Sequence, residues 1–134
     1  MTCLSGEETG RRYQTGRHLA AFLLLLIAQR PDHGGSLIER LKALHPQGPA
    51  VDSGRVYRLL RGLEDDGALS SRWDQVGAGA PVRVYQLTAR GEQLLRVEAE
   101  EIRMRRYALD RFLRMLAEPR EGGDPREREG GGER

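Results

Sequence analysis

The sequence predicts a mainly α-helical domain with one small β-hairpin, an α+β fold within 134 residues. Three observations carry that reading. Residues 19–28 form an uncharged apolar run, and residues 51–67 place apolar side chains at helical spacing. Two short alternating segments then flank a glycine-rich stretch at 75–81. A chain of this length buries one modest core rather than two.

Residues 1–15 are polar without an apolar period and are expected to form a flexible N-terminal arm. The first helix is expected at 16–29; it is apolar nearly all round, which places it at the centre of the core, and Pro31 stops it. Asp32, His33, Gly34 and Gly35 read as a turn. Ser36 and Glu39 have the spacing of a capping box, which predicts a second helix over 36–45 with Leu37, Leu41 and Leu44 inward. His45-Pro-Gln-Gly-Pro49 ends it.

In the third helix, Asp52 or Ser53 can accept a hydrogen bond from a first-turn amide, and Gly67 can close the other end. Val56, Leu59, Leu60 and Leu63 give one core-facing stripe. At about 100° per residue, Gly54, Arg58 and Arg61 fall on the opposite face, flanked by Arg55 and Tyr57. Residues 68–74 read as a strand with Leu69 and Trp73 as its apolar members. The return strand covers 82–87, where Val82, Val84 and Gln86 alternate with Arg83, Tyr85 and Leu87. Thr88 caps a last helix with Gly91 in its first turn, running to about residue 117. Residues 118–134 contain no apolar side chain and are expected to be disordered.

Three helices followed by a hairpin define a winged helix-turn-helix over 16–90, with the wing at 75–81. A long helix at 91–117 then continues beyond it, where Leu95, Ile102, Leu109 and Leu116 recur every seven residues with Leu94, Ala99, Phe112 and Leu113 beside them. A helix of about 26 residues is about 39 Å long, so its stripe needs a cover. A partner's equivalent helix is the expected one, and folding back on its own domain is the alternative. Glu98, Arg105 and Arg106 interrupt the stripe, so a clean coiled coil is not expected.

The formal charge of +2 conceals a segregation: residues 11–91 carry +5, residues 1–10 carry −2 and residues 92–134 carry −1. The positive excess lies where the arginine-faced helix lies, as phosphate attraction requires. Guanidinium forks suit phosphates and guanine edges, and a small residue lets a helix approach a groove closely. The helix by itself supports a solvated charged face equally well.

Cys3 is the only cysteine, which excludes an intrachain disulfide. The ten-residue apolar run is too short to span a membrane, where about 20 residues are needed. Its late start behind Glu7 and Glu8 argues against a secretory signal, so a cytoplasmic location is expected. His18, His33, His45 and Cys3 lack ligand spacing, and no nucleophile motif, carboxylate pair or phosphate loop occurs. Neither catalysis nor a metal or other cofactor is expected.

With these elements in order, the chain resembles the PadR family of bacterial transcriptional regulators. The resemblance rests on His33-Gly34, on Ser53-Gly54-Arg55-Val56-Tyr57-Arg58-Leu59-Leu60-Arg61-Gly62-Leu63-Glu64-Asp65-Asp66-Gly67, on the wing Gly79-Ala80-Pro81 and on the junction Tyr85-Gln86-Leu87-Thr88-Ala89-Arg90-Gly91. It covers residues 17 to about 117. The chain departs from the family pattern in having Asp52-Ser53-Gly54 where Ser-Pro-Gly is usual, Gly35 where an aromatic often stands, and a wing whose only charge near Pro81 is Arg83.

The resemblance implies a dimeric repressor that binds double-stranded DNA at an inverted-repeat operator, dimerises through its last helix and, in many members, is relieved by a small-molecule effector. The implied DNA-binding residues are Ser53, Gly54, Arg55, Tyr57, Arg58, Arg61 and Arg83. Ser53 can offer hydroxyl and amide to phosphate, or act as a plain cap; Tyr57 can reach phosphate, or lie half-buried against the turn. The dimer residues are Leu95, Ile102, Leu109, Phe112, Leu113 and Leu116. Trp73 is expected in the hairpin core, with a platform for an effector as the alternative, and Tyr107 and Phe112 either in core packing or in a pocket at the dimer seam. The poorly charged wing favours a rival: a winged-helix dimer that has lost DNA binding and serves as a protein-interaction module.

Overall fold

The most apolar stretch of the chain forms helix α1, Leu19–Gln29, and it lies at the centre of the core. The computed structural model describes residues 18–44, 46, 48, 50–75 and 77–120. The expected arm at 1–15, Cys3, His45 and most of the 118–134 tail therefore lie outside the described residues. Leu23, Leu24 and Ile27 of α1 are buried and meet Leu37, Ile38 and Leu41 of helix α2 (Gly34–Leu44) and Val56, Leu60 and Leu63 of helix α3 (Ser53–Asp65). Fully burying such a side chain contributes about 1.5–3 kcal/mol, so these positions dominate the packing of the three helices.

The expected turn at 32–35 is instead a short strand, β1 (Asp32–His33), followed directly by α2. β1 pairs antiparallel with β3 (Val82–Leu87), Asp32 opposite Tyr85 and His33 opposite Val84. β3 also pairs antiparallel with β2 (Leu69–Asp74), giving the sheet order β1-β3-β2. As the central strand, β3 buries both Val84 and Tyr85, on opposite faces.

The expected capping box at Ser36 is also corrected, because α2 begins two residues earlier and the Ser36 amide donates back to His33 Nδ1 (3.4 Å), the residue just before the helix. The Asp32 carboxylate accepts hydrogen bonds from the Ser36 hydroxyl (2.6 Å), the His33 amide (2.9 Å) and Arg40 Nη1 (3.0 Å). Arg40 also donates through Nη2 to the Leu26 carbonyl (3.0 Å), which ties α2 to the last turn of α1. Burial pushes the Asp32 carboxyl up, but the bonds from Ser36, the His33 amide and Arg40 outweigh it, leaving its pKa below the ordinary 3.8. Leu37 and Leu41 point inward as expected; Leu44 does not, being 47% exposed on the last turn of α2.

α3 ends in a turn where Gly67 adopts φ +85°, a conformation that favours glycine. The last helix, α4 (Ala89–Ala117), is anchored at this turn. The Thr88 hydroxyl donates to the Gly67 carbonyl (2.6 Å) and accepts from the Gly91 amide (3.1 Å). Arg90 Nε donates to the Asp66 carbonyl (2.7 Å). A Cβ on Gly91 would lie 2.2 Å from the Ala68 carbonyl oxygen, so only glycine allows this approach.

The chain divides into two compact units, at Glu100 and Glu101. In the first, Leu94 and Leu95 pack against the core. In the second, α4 leaves Leu109, Phe112, Leu113 and Leu116 more than half exposed.

Candidate nucleic-acid interface

The local sequence fixes where α3 starts. Asp52 is the N-cap, in extended backbone conformation, and its carboxylate accepts from the Arg55 amide at 3.3 Å. The cap lets Ser53 and Gly54 open the helix as exposed first-turn residues. Val56, Leu60 and Leu63 hold the helix down, with Leu59 half-buried beside them. The opposite face then stands out, with Gly54, Arg58 and Arg61 exposed along it.

The arginines of this unit fall into two kinds. Arg40 is bound to Asp32, and Arg72 makes an ion pair with Asp74 at 3.3 Å. Arg58 and Arg61 have no ion pair or side-chain hydrogen bond among the described residues. Their guanidinium groups therefore keep their donor forks for an outside acceptor, and phosphate or a guanine edge suits them. Arg55 is half-buried, with its Nε covered and unpaired. It has less freedom than the other two.

Tyr57 is 41% exposed, and its ring covers Gly34 at the start of α2. A Cβ on Gly34 would lie 2.3 Å from Tyr57 Cε1 and 2.9 Å from Cζ. The bare glycine is what lets the two helices of the helix-turn-helix meet here, a pairing that local spacing does not reveal. The His33-Gly34 pair was visible in the sequence, but its partner ring lies 23 residues further on.

The wing is built by the β2–β3 hairpin, with Gly77 at φ +71° and the Gln75 side-chain amide donating to the Gly79 carbonyl. Val76 lies outside the described residues. Trp73 is not in the hairpin core: it is 66% exposed. The register sets Trp73 opposite Arg83, beyond the end of the packed region, and the Arg83 guanidinium stacks 5.2 Å from the indole centroid. Leu69, Ser71 and Trp73 share one face of β2. Ser71 donates to Glu64 of α3 at 2.7 Å, so that face is the one turned to α3.

On α4, Leu95 is half-buried against its own core and Ile102 is half-buried, while Leu109, Phe112, Leu113 and Leu116 form one exposed line at i, i+3, i+4, i+7. Tyr107 and Phe112 are both exposed rather than packed. They lie about 140° apart around the helix, so they do not share a face. Among the described residues no group of three or more His, Cys, Asp or Glu side chains gathers as metal ligands would, and no helix is long and apolar enough to cross a membrane.

A model of the transcriptional regulator PadR-like family matches residues 23–97. Among solved structures, the chain is similar to a PadR-like transcription factor from Bacteroides fragilis, at 26% identity and a TM-score of 0.57 over 87% of this chain and 100% of that one. It is similar to a PadR family transcriptional regulator from Eggerthella lenta, at 28% identity and a TM-score of 0.55 over 77% and 84% of the two chains. A conserved protein described as a potential transcriptional factor is 37% identical, with a TM-score of 0.59 over 77% of this chain and 94% of that one. No curated protein matches the chain.

Proposed function

The chain belongs to the transcriptional regulator PadR-like family and is, by that membership, a DNA-binding regulator; from that premise we propose that it is a homodimeric repressor reading an inverted-repeat operator through α3. The observation that carries the reading is the exposed face of a capped, firmly packed helix whose Arg58 and Arg61 have no ion-pair or hydrogen-bond partner among the described residues. Ser53 and Gly54 let the first turn approach the phosphate backbone, where amides at a helix N-terminus favour anions. Arg58 and Arg61 enter the major groove, Tyr57 supplies a phosphate contact from its exposed edge, and Arg55 and Arg83 contribute backbone contacts.

The dimer rests on α4. Leu109, Phe112, Leu113 and Leu116 stand on one helical face in water, and covering each contributes on the order of 1.5–3 kcal/mol. A second copy offers the same line of side chains by symmetry, as a two-fold interface requires. Two α3 helices related by that axis read half-sites about one helical turn apart. Relief by a small molecule at the dimer seam belongs to the same proposal.

The testing experiment is a mobility shift of the purified protein on the DNA just upstream of its own gene, at two salt concentrations, with unrelated duplex as competitor. A discrete, competitor-resistant shift is expected. Salt-labile smearing on every duplex tried would favour instead the winged-helix module that has exchanged DNA for a protein partner. The uncharged wing tip at 75–82 is the feature in favour of that second reading. Sedimentation at micromolar concentration checks the dimer, and a monomer there would overturn the α4 assignment.

A further inference from the structure

Residues 75–82 contain no lysine or arginine, so the tip of this wing has no charge with which to hold a phosphate. Of the two arginines on the hairpin strands, Arg72 faces away from the Trp73 side and is paired with Asp74. Arg83 remains, and it is not an independent side chain. Its guanidinium lies over the Trp73 ring at 5.2 Å and its Nε is covered without a hydrogen-bond partner. The two stand opposite each other across the strands, on the face that Ser71 and Glu64 join to α3. Whatever docks on Arg83 from the α3 side therefore also covers the exposed indole.

We infer that Trp73 is the wing's DNA contact in this protein. Its indole lies against the sugar–phosphate edge next to the groove that α3 occupies, with Arg83 held on the ring to meet the phosphate. An aromatic ring offers a large apolar surface to a sugar edge, and a stacked guanidinium gains from being desolvated against it. The unit thus replaces the basic tip that the wing lacks. The occupant is duplex DNA, because the pair carries positive charge and lies on the sheet face that the Ser71–Glu64 bond turns toward the arginine helix. This inference rests on the reading of α3 as the DNA-contacting helix.

Trp73 is the only tryptophan in the chain, so intrinsic fluorescence reports on this site alone. The experiment titrates the full chain with a fluorescein-labelled duplex from upstream of its own gene. Binding is followed by the anisotropy of the label, and Trp73 by its emission maximum and acrylamide quenching. On binding, the indole emission is expected to move to shorter wavelength and become protected from acrylamide. Trp73→Ala should weaken binding about tenfold, while Trp73→Phe, which keeps a ring for Arg83, should retain most of the affinity. Arg83→Ala in the Trp73→Ala background should then add little, because the two act as one unit.

Anisotropy binding with an unprotected Trp73 would overturn the inference and leave the α3 reading intact. An indole already protected in the free protein would overturn it too. No binding to any duplex would overturn the α3 reading, and the inference with it.

Discussion

Two groups of arginines in the first unit differ in what they are attached to. Arg40 sits at the corner where α1, β1 and α2 meet, 17% exposed, bonded to the Asp32 carboxylate and to the Leu26 carbonyl. Arg58 and Arg61 sit on a helix of equal regularity with no partner among the described residues. The first is a fastener whose hydrogen bonds replace those lost when β1 and α2 pack together. The others contribute little to the fold, since exposed charges without partners change stability by less than about 0.5 kcal/mol. Identical side chains thus divide between structure and recognition, and the division can be tested from both sides.

The largest effect is expected at the fastener. Asp32→Ala removes the acceptor of Ser36, His33 and Arg40 together and leaves a mostly buried guanidinium without its counter-ion. It should lower unfolding stability by about 2–3 kcal/mol in urea melts. An unchanged midpoint would show that Arg40 is no more committed than Arg58. The same corner sets an acid limit. Because the folded carboxyl has a pKa below the ordinary 3.8, the unfolded chain takes up the proton first. Its contribution is whole above about pH 4 and is lost as pH falls through the folded value. The wild-type chain should therefore lose more stability between pH 5 and about pH 2 than Asp32→Ala loses.

The double variant Arg58→Ala/Arg61→Ala is the converse. Operator affinity should fall about thirtyfold or more, with the slope of log K against log salt reduced by about 1 for each phosphate contact removed. The urea midpoint should stay where it was. Unchanged affinity would remove α3 from the groove, and a large stability loss would show that these side chains are structural after all.

The recognition half was far more legible in the sequence than the fastener. Asp52, the Val56–Leu60–Leu63 stripe and Gly67 each act within a few residues of their own position, so local spacing predicts α3 and the face it presents. Thr88 and Gly91 are read in the same way. β1 could not be read so, because Asp32 and His33 are a strand only through β3, some 50 residues later in the chain. The S-x-x-E spacing at Ser36 was a true helix signal with the wrong start, since Asp32 reaches forward to take the Ser36 hydroxyl. The exposure of Trp73 is hidden for a related reason: alternation tells which side of a strand a residue faces, not whether the core extends that far along it. The apolar line of α4 was visible as a pattern, but a pattern does not show that Leu95 packs on its own core while Leu109 does not.

A smaller effect is expected where the two helices of the motif touch. Gly34→Ala puts a methyl group within 2.3 Å of Tyr57 Cε1, and the ring must swing away. Overpacking of this kind costs about 1–3 kcal/mol, and the exposed outer edge of the ring places this case near the lower end. In the Tyr57→Ala background the same substitution should cost little. A full penalty remaining there would mean that something other than the ring fills the space over Gly34.

The smallest effect separates folding from recognition most sharply, because it compares two glycines on one helix. A Cβ on Gly62 meets nothing within 4 Å, and a Cβ on Gly54 meets only the flexible end of Arg58 at 3.3 Å and the Asp52 carboxylate at 3.5 Å. Neither glycine is needed for the fold, and alanine in a helix interior is favoured over glycine by up to about 1 kcal/mol. Gly62→Ala should therefore raise the urea midpoint slightly and disturb operator binding less than Gly54→Ala does, because Gly62 lies about two turns further from the helix N-terminus that meets the phosphates. Gly54→Ala should be tolerated equally well by the fold yet weaken binding several-fold, since its methyl group stands where the first turn meets the phosphates. Equal affinity for both variants would mean that the first turn does not approach DNA closely, and that Arg58 and Arg61 reach it by their length alone.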